Sequence, residues 1–545
     1  MNSIFVIIAA AGLFFFGYLF YSKRIERILK VDANRKTPAF KKYDGVDYIP
    51  SKHWSVLFGH HFASIAGAAP IIGPAIAVSI WGWAPALVWI ILGSVFIGGI
   101  HDYCSLYISV RHNGTSIADI SKHTISKAAK TVFLIFLWLT LILIISVFVD
   151  ICANTFIVKP EITIPSLALI PIAMLVGFLL YNLKLRQPIV TVLGLALLSA
   201  AMFLGKYYPI VFEGDALKTW GLILLSYAFL ASILPVNILL QPRDYLASYL
   251  LFFGVLFGYT GLFINRPDIN FPAFMGWNGV SNVQLWPLLF VTIACGAISG
   301  FHSIVASGTT SKQIGNERDA RKIGYGAMIA EAILAVMAVL VIVTAFKDKN
   351  LLLDVIEKGA GPVGAFGIGY NEVTKNFLGP YGSVFAIMIL NGFILTTLDT
   401  ATRVGRYLTQ ELFKIKNRFA ATLIVISLAG WLGLSGQWNE IWPIFGSANQ
   451  LIAALTLIII SSWFLSRRKP VLYTLIPMLF MLATSSAALV LKIIEYIRSN
   501  NVLLLSVSLI LLGLAIFVFF EAILAIRNVF KTRKGIFGRK LWQKK

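Results

Sequence analysis

Leu57-Phe-Gly-His-His-Phe-Ala-Ser-Ile-Ala-Gly-Ala-Ala-Pro-Ile-Ile-Gly-Pro74 is apolar enough to sit in a membrane, yet it places Gly67, Pro70, Gly73 and Pro74 within eight residues. Proline removes a backbone donor and clashes with the preceding turn, so a regular helix over 57–82 is expected to break there. At membrane depth the freed backbone groups need partners from protein, water, ion or substrate. Discontinuous helices of this kind form the substrate and ion sites of secondary transporters, where the positive end of a half-helix faces an anionic group. The alternative reading is a proline kink with close packing through Gly and Ala.

The rest of the chain supports the membrane reading. Of 545 residues, 58% are hydrophobic and only 13% charged, against about one quarter charged in a soluble domain. Apolar runs of about 18 or more residues recur, each long enough to span a hydrocarbon core roughly 30 Å thick. Fifteen crossings are predicted, the first near 3–21, the seventh at 219–240, the ninth at 286–310 and the last at 502–526. The first is expected to be a retained helix, since Lys23, Arg24, Arg27 and Lys30 follow it and no charge precedes it.

A net charge of +22 would point to nucleic acid in a soluble protein. With the N-terminus outside, however, most of the 46 lysines and arginines fall on one face. The loop from Lys23 to Lys52, the Arg467-Arg468-Lys469 triplet and the tail from Arg527 to Lys545 all lie there, as the positive-inside rule requires. Membrane lipid is then the expected surroundings, with no nucleic-acid partner. The N-terminus is predicted outside and the C-terminus cytoplasmic. The stretch 347–377 mixes apolar and polar residues and reads as interfacial or re-entrant. Cys104, Cys152 and Cys295 show no metal or disulfide spacing and read as packing residues.

The ninth span, Cys295-Gly-Ala-Ile-Ser-Gly-Phe-His-Ser-Ile-Val-Ala-Ser-Gly-Thr-Thr310, is thick with small and hydroxyl residues. Like the second, it holds Gly-x-His followed six residues later by Gly: Gly59, His61, Gly67 and Gly300, His302, Gly308. The two run in opposite directions, as an inverted repeat would produce. A third irregularity is Pro235 in the seventh span, just ahead of Arg243 and Asp244, which either cap the following helix or gate the site.

Ionisable groups inside a bilayer are costly and mark functional sites. His61, Asp102, His302, Glu331 and Asp399 are all expected in the cytoplasmic half, within roughly 15 Å of the inner boundary. Histidines and carboxylates at one depth suit proton coupling, assigned to His61, Asp102, His302 and Asp399. A substrate carboxylate is expected to meet the half-helix around Gly67, Ala68, Pro70 and Gly73 and the hydroxyls of Ser303, Ser307, Thr309 and Thr310. Gating is assigned to Arg243 and Asp244. No metal, cofactor or enzymatic activity is expected, because protease, hydrolase, P-loop and dinucleotide motifs are missing from the sequence.

Several longer motifs resemble the carbon starvation protein (CstA) family: Leu57 to Pro70, Leu239-Leu-Gln-Pro-Arg-Asp-Tyr245, Ile293 to His302, Ser307-Gly-Thr-Thr310, Leu398-Asp-Thr-Ala-Thr-Arg403 and Trp442-Pro-Ile-Phe-Gly-Ser-Ala-Asn-Gln450. Thr37-Pro-Ala-Phe40 and Asp47-Tyr-Ile-Pro50 extend the match. His101 stands where that family usually has glutamine. The resemblance implies an all-α polytopic protein of the bacterial inner membrane with a LeuT/APC-like inverted-repeat core. It implies uptake of short peptides or of small carboxylates such as pyruvate during carbon starvation, with protons as coupling ion. Residues 57–401 would form that core, 1–56 an N-terminal helix and basic loop, and 402–545 the C-terminal helices and tail. Two other readings stand beside it. A nutrient sensor would signal through the basic tail, and a passive channel would need no set of titratable groups.

Overall fold

The computed structural model describes the chain except residues 46–47, 52, 235–238, 358, 360, 437 and 543–545, together with the side chains of 181, 240–241, 281, 525–526 and 528–542. Pro235, Asp47 and most of the basic tail lie outside the described residues.

The described chain is helical almost throughout. In order the helices are α1 Ser3–Leu29, α2 Trp54–Ile65, α3 Ala69–Trp81, α4 Trp83–Arg111, α5 Lys127–Val158, α6 Thr163–Tyr181, α7 Gln187–Tyr207, α8 Ala216–Ile233 and α9 Leu240–Asn265. There follow α10 Leu285–Thr292, α11 Gly300–Val305, α12 Arg321–Ala345, α13 Gly361–Leu378, α14 Gly382–Phe413, α15 Arg418–Gly433, α16 Trp438–Ser466, α17 Leu472–Arg498 and α18 Val502–Trp542. Among the described residues twelve helices are long and apolar enough to cross a membrane, or thirteen if the bent pair α2 and α3 makes one span. Two of the fifteen predicted crossings are not single long helices. The ninth is broken into α10 and α11, and α15 has only 16 residues.

Burial separates centre from rim. α16 and α5 are enclosed by protein, whereas α1, α7 and α18 leave most of their apolar surface uncovered. Phe15, Ile189, Val192 and Phe520 are exposed on these outer helices, as expected where lipid tails replace water. The stretch predicted to be interfacial contains α13, which buries Val363, Phe366, Tyr370 and Val373 against α3, α12 and α14. It is part of the bundle because its glycines allow close approach: Gly369 lies against the backbone of Val341. α16 packs on α5, α10 and α11.

The second span breaks where its composition predicted. α2 stops at Ile65, Gly67 donates its N–H back to Ile65 O at 2.8 Å, and the chain re-enters a helix at Ala69 after a bend of 46°. Pro70 sits in the first turn of α3, where its missing N–H costs nothing. Pro74 is carried inside the helix.

Candidate functional site

The ninth span is unwound between Thr292 and Gly300. Each loosened end has a dedicated partner. Asn449 of α16 accepts from the backbone N–H of Phe301 at 3.0 Å and donates to Ser299 Oγ at 3.0 Å, capping α11. Gln450 donates to Phe290 O at 2.5 Å, and Trp89 donates to Ile293 O at 3.0 Å, which satisfies the C-terminal carbonyls of α10. The Asn-Gln pair closing the Trp442 motif therefore holds the break open.

The two broken spans cross. A Cβ at Gly73 would overlap the carbonyl oxygen of Thr292, and one at Gly296 would meet Ala335 at 2.7 Å and Pro70 at 3.7 Å. His61 reaches the far end of the ninth span, its Nδ1 lying 2.8 Å from Thr310 Oγ1. The paired Gly-x-His motifs thus belong to elements in direct contact.

Beside this crossing lies the first titratable cluster. His302 Nδ1 is 2.7 Å from Asp102 Oδ2, and His302 Nε2 is 3.1 Å from Glu331 Oε2. The other oxygen of Asp102 is 2.7 Å from His101 Nδ1. All four side chains are fully buried. The group thus sets two carboxylates against His302 and His101 in a buried site, residue types able to carry a proton. His61 is within Coulombic reach of Asp102 and His302.

The second cluster forms where α8, α9 and α14 meet. Arg243 is paired with Asp399 and lies 3.3 Å from Asp244, while Tyr227 donates to Asp399 at 2.6 Å and accepts from Arg243 at 2.6 Å. His60 Nδ1 is 3.7 Å from Asp244. Again two carboxylates face one permanent cation. Arg403, four residues after Asp399, donates to the carbonyls of Ala231 and Leu234 at the end of α8. Both charged residues of the Leu398 motif are thereby accounted for.

The structure divides the predicted proton-coupling set. Asp102 and His302 are joined, with His61 close by, but Asp399 belongs with Arg243 and Asp244. Glu331 joins the first group directly. His60, His101 and Tyr227 were assigned no role, and only the two histidines, each beside a residue that was assigned one, gave a sequence signal. The predicted hydroxyl set is engaged in helix packing. Ser303 Oγ donates to Gly300 O, Ser307 to Ser303 O and Thr309 to Val305 O, while Ser307 also accepts from the N–H of Ile117. Thr310 faces His61.

At the break itself the neighbours are different residues. A Cβ on Gly67 would lie 2.8 Å from Thr397 Oγ1 of α14 and 3.9 Å from the ring of Phe148. Phe148 contacts Phe445, which contacts Trp442. The Thr397 hydroxyl and the Trp442 indole N–H are buried without a hydrogen-bond partner among the described residues. Ala68 and Pro70 at the start of α3 complete this wall. An aromatic surface, two polar groups without a partner and a helix N-terminus thus lie around the break. Cys295, His302 and Glu331 also place one donor atom each within 4.8 Å of one another. Their types suit a divalent transition metal, and His302 Nε2 and Glu331 Oε2, 3.1 Å apart, have no hydrogen-bond partner among the described residues.

The family model described as carbon starvation protein CstA matches residues 2–358 and 349–488. The peptide transporter CstA of Bacillus subtilis (strain 168) is 33% identical, the match covering 90% of this chain and 90% of that protein. The pyruvate/proton symporter BtsT of Escherichia coli (strain K12) is 30% identical, covering 90% of this chain and 82% of that one. A crystal structure of the manganese transporter of Eremococcus coleocola superposes with a TM-score of 0.53 at 11% identity, over 88% of this chain and 98% of that one, a likeness of fold. The broken crossing helices therefore sit in a shared transporter architecture, and the chain belongs to the carbon starvation protein CstA family.

Proposed function

We propose that this protein is a secondary transporter that brings short peptides or small carboxylates such as pyruvate across the bacterial plasma membrane, coupled to protons. Its N-terminus would lie outside and its C-terminus in the cytoplasm. The observation that carries this reading is the buried Asp102–His302–Glu331 group, two carboxylates sharing one histidine, set against the contact of two broken helices. The names of the Bacillus subtilis and Escherichia coli relatives support the two substrate classes, and the second of them supports proton coupling.

In this scheme the substrate carboxylate docks at the break, against the first turn of α3 at Gly67, Ala68 and Pro70, with Thr397 and Trp442 as polar contacts. Gly73 keeps α3 close to the ninth span, so a movement of one broken helix is transmitted to the other. His60 and His61, adjacent on α2, face the two clusters. Arg243 with Asp244 and Asp399 gates the site by holding α8, α9 and α14 together in the state described here. Opening would require that ion-paired group to separate, and protonation of either carboxylate would ease the separation.

The test is uptake of radiolabelled pyruvate and of a labelled dipeptide into liposomes containing the purified protein, with and without an inward proton gradient. Accumulation of either substrate only when the gradient is imposed is the expected result. Flux that merely equilibrates, indifferent to the gradient, would mean a passive pore.

A further inference from the structure

On the basic face, three stretches distant in sequence enclose a cavity of about 500 Å³. Its walls are the end of α1 with the loop after it, the end of α4, and the link between α16 and α17. The floor is built rather than accidental. Tyr107 OH donates to Leu29 O at 2.7 Å, Lys469 Nζ to Ile28 O at 2.5 Å, and Arg111 to Lys30 O at 3.1 Å. Rings fix the cations. Arg111 lies 5.1 Å from the centroid of Tyr107, and Arg467 and Lys469 flank Trp463 at 5.6 and 5.8 Å.

The charge around this cavity is one-sided. Arg111 is held bidentately by Glu317, whereas Arg27, Lys30, Arg35, Arg467 and Arg468 pair with no carboxylate among the described residues. Burial, and then the nearby Lys30, Arg111 and Arg467, lower the pKa of Lys469 from its ordinary value. The positive-inside rule explains why lysines and arginines are on this face, but it gives no reason for them to converge on one concavity. Crowded like charges repel, and an anion placed among them removes that cost. The flank supplies a second clue. Arg24 donates to Tyr473 OH, joining α1 to α17, and the residues beside that junction, Phe16 and Phe20 on α1 and Leu472 and Ile476 on α17, are exposed and apolar. A charged pocket opening beside an uncovered apolar strip suits a headgroup whose acyl chains lie along that strip.

We propose that this cavity binds a negatively charged phosphate group, and that an acidic phospholipid of the adjoining leaflet supplies it. Arginine forks match phosphate oxygens, and the Trp463 ring lies against the guanidinium of Arg467.

The test titrates the purified protein in neutral detergent with short-chain phosphatidylglycerol, short-chain phosphatidylcholine and inorganic pyrophosphate, using native mass spectrometry. The double variant Arg467→Gln/Arg468→Gln runs in parallel. Both side chains are exposed, so the variant is expected to melt with the wild type in phosphatidylcholine, and that melting curve is the folding control. Phosphatidylglycerol should bind in preference to phosphatidylcholine, and the variant should lose about thirtyfold in affinity. Pyrophosphate binding with no preference for phosphatidylglycerol would overturn the lipid source. Equal phosphatidylglycerol affinity in wild type and variant would overturn the site.

Discussion

His302 Nδ1 and Asp102 Oδ2 lie 2.7 Å apart although 200 residues separate them in sequence, and neither side chain has any exposed surface. The bond joins α11, the half-helix after the break in the ninth span, to α4. A change in its protonation is therefore felt directly by a discontinuous helix, which is the element most able to move.

Asp102→Asn keeps the shape of the side chain and removes its charge. His302 then retains only Glu331 as a counter-ion, and the lost charged hydrogen bond should cost about 1.5–3 kcal/mol of stability. Gradient-driven accumulation should disappear while exchange of labelled for unlabelled substrate persists. Accumulation at the wild-type level in this variant would remove Asp102 from the coupling mechanism.

Arg243 and Asp399 are both fully buried. Arg243→Met strands Asp399 and Asp244 together, which should destabilise the protein by about 3–5 kcal/mol, whereas Asp399→Leu leaves Arg243 with Asp244 and should cost less. Arg243→Met combined with Asp399→Leu and Asp244→Asn should recover most of the larger loss, because no buried charge of this group is then left unpaired. Thermal unfolding in detergent measures all three variants, and a triple variant no more stable than Arg243→Met would argue against this three-residue group.

Gly67 and Gly73 differ in what stands opposite them. A Cβ at Gly67 meets the side-chain oxygen of Thr397 at 2.8 Å. Gly67→Ala should therefore impair expression and uptake, and Thr397→Ala in the same chain should restore folding. A Cβ at Gly73 meets main-chain atoms of Thr292 and Ile293, so Gly73→Ala should have no such rescue by side-chain truncation. Yields of monodisperse protein distinguish the two cases.

Asn449→Ala removes the cap of α11 and leaves the buried N–H of Phe301 unsatisfied, at a cost of about 1–3 kcal/mol. Asn449→Asp retains the acceptor and should recover part of this. If both variants unfold with the wild type in a thermal melt, the break in the ninth span is held by other contacts.

The break in the second span was legible because two prolines and two glycines fall within eight residues of an otherwise apolar run. Its exact place, at Gly67, was also near the centre of the predicted stretch. The break in the ninth span was less plain, since its glycines and serines are equally compatible with tight helix packing. The groups that hold it open, Asn449, Gln450 and Trp89, lie on two other helices. Which of the predicted crossings are not one long helix was hidden for a related reason: α10, α11 and α15 are apolar but short, and hydropathy alone does not register where a helix stops.

The sequence by itself determined the solvent, the basic face, the discontinuous second span and the family, because each of these depends on composition or on order along one segment. It also predicted a common depth for His61, Asp102, His302, Glu331 and Asp399, from position within a span at a fixed rise per residue. Only the tertiary structure decided which of them meet. The angle at which each helix presents its side chains depends on how the bundle packs, and that packing sets Asp102, His302 and Glu331 together while sending Asp399 to Arg243.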